Sequence, residues 1–313
     1  MDIVACCDKG FMMPTGVMMY SVCANNPDVA VVFHIVIDES IADEEKNDLE
    51  ENISGFQNKK CVFYRVSNQL TASFPLISGI HISRAAYYRI FLAEILPQTL
   101  DKVLYLDGDI IVRHSLLPLW NTDLSDNYAI GAAIDWAEER LEVFERLGYS
   151  RQKGHFNSGV MLINLDYWRT HDIAKDCINY LTDYPERIVF VDQDVLNIVL
   201  QDKKLQIPLK YNYQTGFLRK VPEWNVEKHD EEIKDGMKDP VIVHFTEANK
   251  PWLKCFMPHP FRSTFVKYQK QTRWKGVRYD RRPMNCKVMD FMRFLMLKLK
   301  LKSSVYIDVK PVD

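Results

Sequence analysis

The acidic pair Asp107 and Asp109 is the strongest chemical signal in this 313-residue sequence. The pair follows the apolar run KVLYL, which predicts a buried strand that ends at two carboxylates. Residues i and i+2 of an extended chain point to the same side, roughly 7 Å apart, and Gly108 between them would let a ligand approach the backbone closely. Carboxylate oxygens are the ligands that Mg²⁺ and Mn²⁺ prefer. The pattern therefore indicates a site for a divalent cation.

An Asp-x-Asp pattern is weak evidence by itself, because an acidic turn has the same letters. A second copy occurs at Asp192-Gln193-Asp194. The first copy, Asp107-Gly108-Asp109, directly follows a predicted buried strand. Negative charge is costly at such a position unless a cation compensates it, which favours a metal site. In open α/β sheets, ligands also bind at the carboxyl ends of the strands.

His244 and Lys250 are two further candidates. His244 ends the apolar run VIVH and would be a third metal ligand, although a lone histidine after a strand is more often a hydrogen-bonded structural residue. Lys250 follows six residues later in the segment KPW and offers a cation for a phosphate group. An acidic pair, a histidine and a lysine together fit a metal-bridged diphosphate.

The elements that must position these residues alternate between strands and helices. Apolar runs typical of strands buried on both faces occur at residues 2–7, 29–38, 61–66, 102–112, 129–134, 159–165 and 241–245. Helical patterns occur at residues 15–24, 42–53, 84–95, 172–181 and 193–200. Residues 213–240 are polar and irregular, which predicts a loop region. The alternation predicts a doubly wound α/β domain.

Composition and charge divide the chain into two parts. The hydrophobic content of 47% supports a large core and excludes wholesale disorder. Residues 262–302 contain 13 Lys and Arg but only two Asp, a net charge of +11, which leaves −13 for the remainder. We therefore expect a catalytic domain at residues 1–260 and a basic region at 261–313. The seven cysteines lack Cys-x-x-Cys spacing, which indicates reduced thiols rather than a zinc site or disulfides.

The basic region is predicted to contact a membrane surface. No run reaches the ~18 apolar residues that a membrane span needs, and the first residues lack secretory-signal features, so we expect a cytoplasmic protein. Residues 284–302 mix Met, Phe and Leu with Lys and Arg, as interfacial helices on anionic lipid do. A solvated or oligomer-contacting tail is the alternative. Nucleic acid is disfavoured because the acidic body would repel a phosphate backbone.

Four segments in order, KVLYLDGDIIV, FNSGVMLINLDYWR, VDQDVLN and HFTEANKPW, resemble glycosyltransferase family 8. The resemblance runs from residue 1 to about residue 260. It implies the glycosyltransferase-A fold, a Rossmann-like α/β nucleotide-sugar domain with a mainly parallel mixed sheet. It also implies a retaining hexosyltransferase that moves galactose or glucose from a UDP-sugar to a hydroxyl of a lipooligosaccharide or polysaccharide, at the cytoplasmic membrane face.

The resemblance assigns roles to individual residues. Asp107, Asp109 and His244 match the family's Mn²⁺ ligands, with Mg²⁺ as the alternative ion, and Lys250 matches the residue that holds the diphosphate. The metal would act as a Lewis acid toward the departing nucleoside diphosphate. The other predicted donor-binding residues are Asp8, Phe11, Arg89, Gly108, Asp135, Asn157 and Glu247.

Asp192 and Gln193 match the positions that face the anomeric carbon opposite the leaving group, and His81 lies toward the acceptor. A retaining mechanism needs a nucleophile there, as retaining glycosidases have, or front-face attack through an ion pair. The amide of Gln193 is a poor nucleophile, which favours front-face attack with Gln193 stabilising an oxocarbenium-like state.

Some of these residues have an ordinary structural interpretation as well. Phe11 fits a core aromatic as well as a ring that stacks on the base, and Asp135 fits a helix N-cap. Glu247 replaces the glycine of the family motif, so it would repel a diphosphate unless it is paired or faces the acceptor. Two other functions also fit the sequence: a nucleotide-sugar-binding protein without turnover, and a self-glycosylating primer protein.

Overall fold

The computed structural model describes residues 1–75, 83–125, 127–138, 140–220, 227–253, 258–279, 284–307 and 309. The strands in these ranges are β1 (Asp2–Cys7), β2 (Val31–Ile37), β3 (Lys59–Arg65), β4 (Lys102–Leu106), β5 (Ile110–Val112), β6 (Ile130–Ile134), β7 (Phe156–Asn164), β8 (Lys204–Gln206), β9 (Tyr213–Gln214) and β10 (Ile242–His244).

The α-helices in the same ranges are α1 (Met12–Asn25), α2 (Asp43–Ile53), α3 (Leu92–Ile95), α4 (Leu117–Trp120), α5 (Leu141–Leu147), α6 (Leu165–Thr170), α7 (Ile173–Asp183), α8 (Val191–Val199), α9 (Asp230–Lys238), α10 (Arg262–Gln269) and α11 (Met284–Lys298). Short 3₁₀ helices occur at Lys9–Phe11, Asn68–Thr71, Arg84–Phe91, Arg151–Lys153, Pro185–Arg187, Leu209–Tyr211, Thr215–Leu218 and Glu227–His229.

Seven strands form a mixed sheet in the order β3-β2-β1-β4-β7-β6-β8. All neighbouring pairs are parallel except those of β7, which runs antiparallel between β4 and β6. Because side chains alternate along a strand, Leu104 and Leu106 of β4 pack into the core on one face, while Val103 and Tyr105 pack on the other. The mainly parallel mixed sheet confirms the predicted fold class.

The apolar run 102–112, predicted as one strand, is two strands in different sheets. β4 ends at Leu106, and β5 begins at Ile110 in a three-stranded sheet of order β5-β10-β9. The strand predicted to end at the acidic pair is β4, and only its continuation to residue 112 was wrong, because apolar residues on both sides of the acidic pair conceal the change of sheet. The antiparallel register of β5 and β10 places His244 beside Ile110. The connector between the sheets therefore brings the acidic pair close to His244.

Two other predicted elements differ from the structure. Residues 213–240, predicted as a loop region, contain β9 and α9. The first turn of α9 carries Asp230, Glu231 and Glu232, an acidic helix start that favours the helix dipole. Residues 84–95, predicted as one helix, are a 3₁₀ helix that continues as α3.

The basic region packs partly against the sheet domain. Phe261 and Phe265 are fully buried, and the ring of Phe265 lies 5.8 Å from that of Phe245. A Cβ at Gly16 of α1 would collide with the Trp274 ring, so this helix and residue 274 are in direct contact. The division at residue 260 stays a prediction. Within the described ranges, every helix is too short or too polar to cross a bilayer.

Candidate functional site

A cavity of about 500 Å³ opens at one edge of the seven-stranded sheet. The parallel strands β1, β4 and β6 end there, which places Asp8, Asp107 and Asp135 directly after them on the cavity wall. The antiparallel β7 begins at the same edge, so Asn157 also lines the cavity. Candidate residues that lie far apart in the sequence are brought together by this strand arrangement.

Asp107, Asp109 and His244 converge at the cavity wall, and a ligand atom from each lies within 4.8 Å of the others. His244 Nε2 lies 3.2 Å from Asp109 Oδ1 and 3.7 Å from Asp107 Oδ2. His244 Nδ1 lies 2.9 Å from the Asn212 side-chain oxygen, which only accepts, so Nδ1 carries the proton in this network. The Nε2 lone pair then faces two carboxylates, an arrangement that fits a divalent cation.

Two glycines let the chain pack closely around these ligands. A Cβ at Gly159 of β7 would collide with the His244 ring and the Asp107 carboxylate. A Cβ at Gly108 would lie 2.6 Å from Thr15 Oγ1 and 3.1 Å from a ring carbon of Phe11. Glycine at these positions therefore allows residues 107–109, which connect β4 to β5, to lie between β7 and α1.

Arg89 links the metal-ligand cluster to Asp192. Its guanidinium is buried and donates to Asp107 Oδ1 at 2.9 Å, while Nε lies 3.1 Å from Asp192 Oδ2. Ser158 Oγ donates to the same Asp192 oxygen at 2.8 Å. Burial raises the pKa of Asp192 to about 6 even though the Arg89 charge opposes this shift. The Asp192 carboxylate is therefore held in place by Arg89 and Ser158.

The Gln193 amide has a defined orientation at the cavity wall. Its oxygen accepts from Asn157 Nδ2 at 3.1 Å and from the Ser158 backbone N–H at 3.2 Å. Its nitrogen donates to Asp135 Oδ2 at 3.2 Å and to His155 Nε2 at 3.3 Å. Burial lowers the pKa of His155 to about 3, so the ring is neutral and can accept this hydrogen bond.

Asp135 also holds the chain at the end of β6. Its carboxylate accepts from Asn157 Nδ2 at 3.0 Å and from the Ala137 backbone N–H at 2.8 Å. Residues 136–138 form a turn rather than the helix that the N-cap alternative required. Burial raises the pKa of Asp135 although these hydrogen bonds oppose the shift.

Asp8 and Phe11 lie at another part of the cavity wall. Asp8 accepts a hydrogen bond from the Phe11 backbone N–H at 3.0 Å and caps the short 3₁₀ helix after β1. The Phe11 ring is half-buried and meets Trp252 edge-on at 5.9 Å between ring centroids. Phe11 therefore packs against the core and also faces the cavity, as both sequence interpretations require.

Lys250 and Glu247 occupy one loop after β10 but face different partners. Lys250 Nζ donates to Asp109 Oδ2 at 2.6 Å and to the Phe245 carbonyl at 2.5 Å. Glu247 pairs with Arg219 and Tyr306 instead. Among the predicted site residues within the described ranges, Glu247 alone does not line the cavity. His81, predicted on the acceptor side, lies outside the described residues.

Several residues of the site were not predicted from the sequence. Ser158 and Gly159 belong to the FNSG segment, so their position beside Asn157 was an available signal. Asn212 also donates to Asn157 Oδ1 at 2.9 Å. No local sequence pattern marks Asn212, because its partners His244 and Asn157 are 32 and 55 positions away in the chain. Tyr105, which donates to Asp107 Oδ1 at 2.7 Å, resembles any other residue of an apolar strand.

Comparison with known proteins agrees with this geometry. The chain is 28% identical to general stress protein A of Bacillus subtilis over 88% of this chain and 96% of the relative. It is 31% identical to a lipopolysaccharide 1,3-galactosyltransferase of Salmonella typhimurium over 85% of this chain and 77% of the relative. The crystal structure of the galactosyltransferase LgtC with donor and acceptor sugar analogues has a TM-score of 0.78 and 30% identity, covering 87% and 96% of the two chains.

Residues 2–255 match the family described as glycosyl transferase family 8, which is most of the chain. The fold, the order of the motifs and the relatives agree on this assignment, and the predicted enzyme class, a hexosyltransferase, is confirmed. The chain therefore belongs to glycosyltransferase family 8.

Proposed function

We propose that this protein is a Mn²⁺-dependent retaining glycosyltransferase that moves galactose or glucose from a UDP-sugar to a hydroxyl of a lipid-linked saccharide. The observation that carries the proposal is the convergence of Asp107, Asp109 and His244 beside Lys250 at one cavity wall. Two relatives named as lipopolysaccharide galactosyl- and glucosyltransferases support the choice of hexose and acceptor class.

The nucleotide part of the donor would bind along the cavity wall, where different residues contact the diphosphate and the uridine. Asp107, Asp109 and His244 would hold Mn²⁺, with Mg²⁺ as the alternative. The ion would neutralise charge on the diphosphate and so assist its departure. Lys250 offers a positive charge to the same diphosphate. Asp8 and Phe11 would bind the uridine, with the carboxylate accepting from the base and the ring stacking on it.

The sugar would lie against residues of β6, β7 and α8. Asp135 and Asn157 offer a carboxylate and an amide to the sugar hydroxyls, and Arg89 holds the neighbouring acid in place. Asp135 and Asn157 are buried and hydrogen-bonded to each other, and the buried Arg89 donates to Asp107 and Ser158, so little reordering is needed when the sugar binds. A pre-ordered pocket of this kind orients the anomeric carbon toward the acceptor.

Attack from the front face is supported by the environment of Asp192. Its carboxylate is already ion-paired with Arg89 and accepts from Ser158, which makes it a poor nucleophile. Gln193 presents an amide whose oxygen would stabilise an oxocarbenium-like state. The bond from the anomeric carbon to the phosphate oxygen would break first. That oxygen would then take the proton of the acceptor hydroxyl as the new glycosidic bond forms on the same face.

Helix α11 supports a peripheral position on the cytoplasmic membrane face. Its side chains Met284, Val288, Phe291 and Met292 are more than half exposed, an unusual exposure for large apolar groups. Within the same helix, Arg293 and Lys298 are also exposed. An exposed apolar face with basic neighbours suits anionic lipid. In this proposal residues 1–260 form the catalytic domain and 261–313 the membrane-binding region.

The first experiment is an assay of UDP release from a panel of UDP-sugars with Mn²⁺, with an EDTA-treated sample as the control. We expect metal-dependent release from UDP-galactose or UDP-glucose. Tight binding of Mn²⁺ and UDP without release, even with lipooligosaccharide acceptors, would instead identify a binding protein. A mass increase of the protein itself would identify a self-glycosylating primer. Failure to bind UDP at all would contradict the proposal.

A further inference from the structure

The segment at residues 304–307, here called the C-terminal strap, pairs with the chain near the donor site. The Lys220 N–H donates to the Val305 carbonyl at 2.9 Å, and the Ile307 N–H donates to the Leu218 carbonyl at 2.9 Å. These bonds surround an antiparallel bridge at Tyr306. The strap follows α11 in the sequence, yet it packs against the catalytic body rather than remaining exposed with that helix.

Tyr306 anchors the strap in the core. Its side chain is buried, and its ring lies 5.5 Å from the ring of His259. Its hydroxyl donates to Glu247 Oε2 at 2.7 Å. A buried hydroxyl that donates to a carboxylate makes a charge-assisted hydrogen bond, which is stronger than one between neutral groups. In addition to its backbone bonds, the strap is therefore tied to the loop after β10 through the Glu247 carboxylate.

Glu247 joins the strap to the rest of the protein. Its other oxygen accepts from Arg219 Nε at 2.9 Å and Nη2 at 2.8 Å, so both carboxylate oxygens are engaged. The side chain is 19% exposed and does not line the cavity. Its sequence neighbours Thr246 and Ala248 do line it. The carboxylate is thus held away from the cavity by Arg219 and Tyr306, while the loop that carries it forms part of the wall.

The same loop carries Lys250, which faces Asp109. A carboxylate three residues from a phosphate-binding lysine would repel a diphosphate if it turned inward. The Arg219 charge neutralises the Glu247 carboxylate, and the hydrogen bond from the Tyr306 hydroxyl also keeps this carboxylate turned away from the cavity. We infer that Tyr306 is a positioning residue that holds the donor-binding loop, residues 245–250, through Glu247. This inference rests on the proposed role of Lys250 in donor binding.

It follows that the last part of the basic region has two separable roles. The exposed face of α11 would bind a membrane, whereas the strap would act on the donor site with no membrane present. A substitution in the strap should therefore change donor binding in a soluble assay. No substitution confined to the exposed apolar face of α11 should do so.

The test is a double-mutant cycle with Tyr306→Phe and Glu247→Ala, measured by UDP release at varied donor concentration without vesicles. Tyr306→Phe removes one hydrogen bond, which contributes about 1 kcal/mol, and this corresponds to a roughly fivefold rise in the donor KM. We expect kcat to stay within twofold of wild type. In the Glu247→Ala background, which lacks the acceptor, the same tyrosine change should alter KM by less than twofold. Tyr180→Phe is the matched control, because its hydroxyl donates to the Leu147 carbonyl away from the cavity.

Two results would overturn the inference: a wild-type donor KM in Tyr306→Phe, or effects of the two substitutions that add in the double variant. If the wild-type protein releases no UDP from any donor, the proposed function fails instead. The strap is then tested by titrating Mn²⁺ and UDP calorimetrically into the same variants. Weaker UDP binding by Tyr306→Phe than by wild type would still support the inference, and equal or tighter binding would contradict it.

Discussion

The Lys250 ammonium lies 2.6 Å from the Asp109 carboxylate, so the predicted diphosphate-binding cation pairs with a predicted metal ligand. Burial alone would raise the pKa of Asp109, but the charge of Lys250 and its hydrogen bond hold it well below its usual range. A divalent ion and Lys250 would therefore compete for one carboxylate. Binding of the ion would release the lysine toward the diphosphate, which couples metal binding to nucleotide binding.

The coupling predicts opposite effects of Lys250→Met on the two ligands. Without the competing ammonium, we expect Mn²⁺ alone to bind about threefold to tenfold more tightly, and UDP with Mn²⁺ to bind at least about tenfold more weakly. Calorimetric titration of each ligand measures both effects. Lys153→Met is the control, since Lys153 pairs with Asp202 away from the cavity. Weaker binding of Mn²⁺ alone would contradict the competition.

Gly159 should be more important for metal binding than for folding. In Gly159→Ala the new methyl group would collide with His244 and Asp107, which must then move apart. We expect a loss of at least about tenfold in Mn²⁺ affinity, since small displacements of metal ligands have effects of this size. Gly131→Ala is the matched control: it crowds Ile207 and Leu124 in the core, so it should reduce stability and leave Mn²⁺ affinity unchanged. Equal Mn²⁺ affinities in the two variants would contradict this reasoning.

Much of the fold was predictable because its central strands are buried on both faces. The apolar runs that became β1, β2 and β7 have this composition, and their alternation with helices predicted the sheet. The acidic pair predicted the end of β4, but the change of sheet after it was not predictable from the run itself, since apolar residues continue on both sides of the pair. Only the pairing of β5 with β10 explains why the chain changes sheets there.

The site was predictable where its residues fall in short motifs, and unpredictable where partners are distant in the chain. Asp107, Asp109 and His244 belong to such motifs, and the structure brings their ligand atoms together. The partners of Glu247 are 28 and 59 positions away, in segments with no motif of their own. Its pairing depends on tertiary packing, which local sequence patterns do not encode.

The exposed face of α11 should bind anionic membranes. Replacing Val288 and Phe291 by Gln removes two large apolar groups, and burying one such group contributes about 1.5–3 kcal/mol. We expect at least about a tenfold loss of cosedimentation with phosphatidylglycerol vesicles, and unchanged UDP release in solution. Val62→Gln is the control, because Val62 is an exposed apolar residue of a different element, strand β3. Undiminished binding by the double variant would exclude this face of α11 as the membrane contact.

The buried histidines predict a loss of stability in mild acid. Burial lowers the pKa of both His155 and His259 to about 3, whereas a histidine in an unfolded chain titrates near ~6.5. Below pH 6.5 the unfolded chain therefore binds protons that the folded chain does not. Each histidine then lowers the free energy of unfolding by about 1.4 kcal/mol per pH unit, until the folded form also titrates near pH 3.

This slope is measured by urea unfolding in EDTA at several pH values from 7.5 to 4.5. Asp192 acts in the opposite sense, since its raised pKa makes the folded chain bind a proton first as the pH falls below about 6. The comparison of His259→Gln with wild type therefore isolates the histidine. We expect the variant to be less stable at pH 7.5, because it disturbs a buried contact with Thr215. Its pH slope should nevertheless be shallower than that of wild type by about 1.4 kcal/mol per unit, and an identical slope would show that His259 titrates normally.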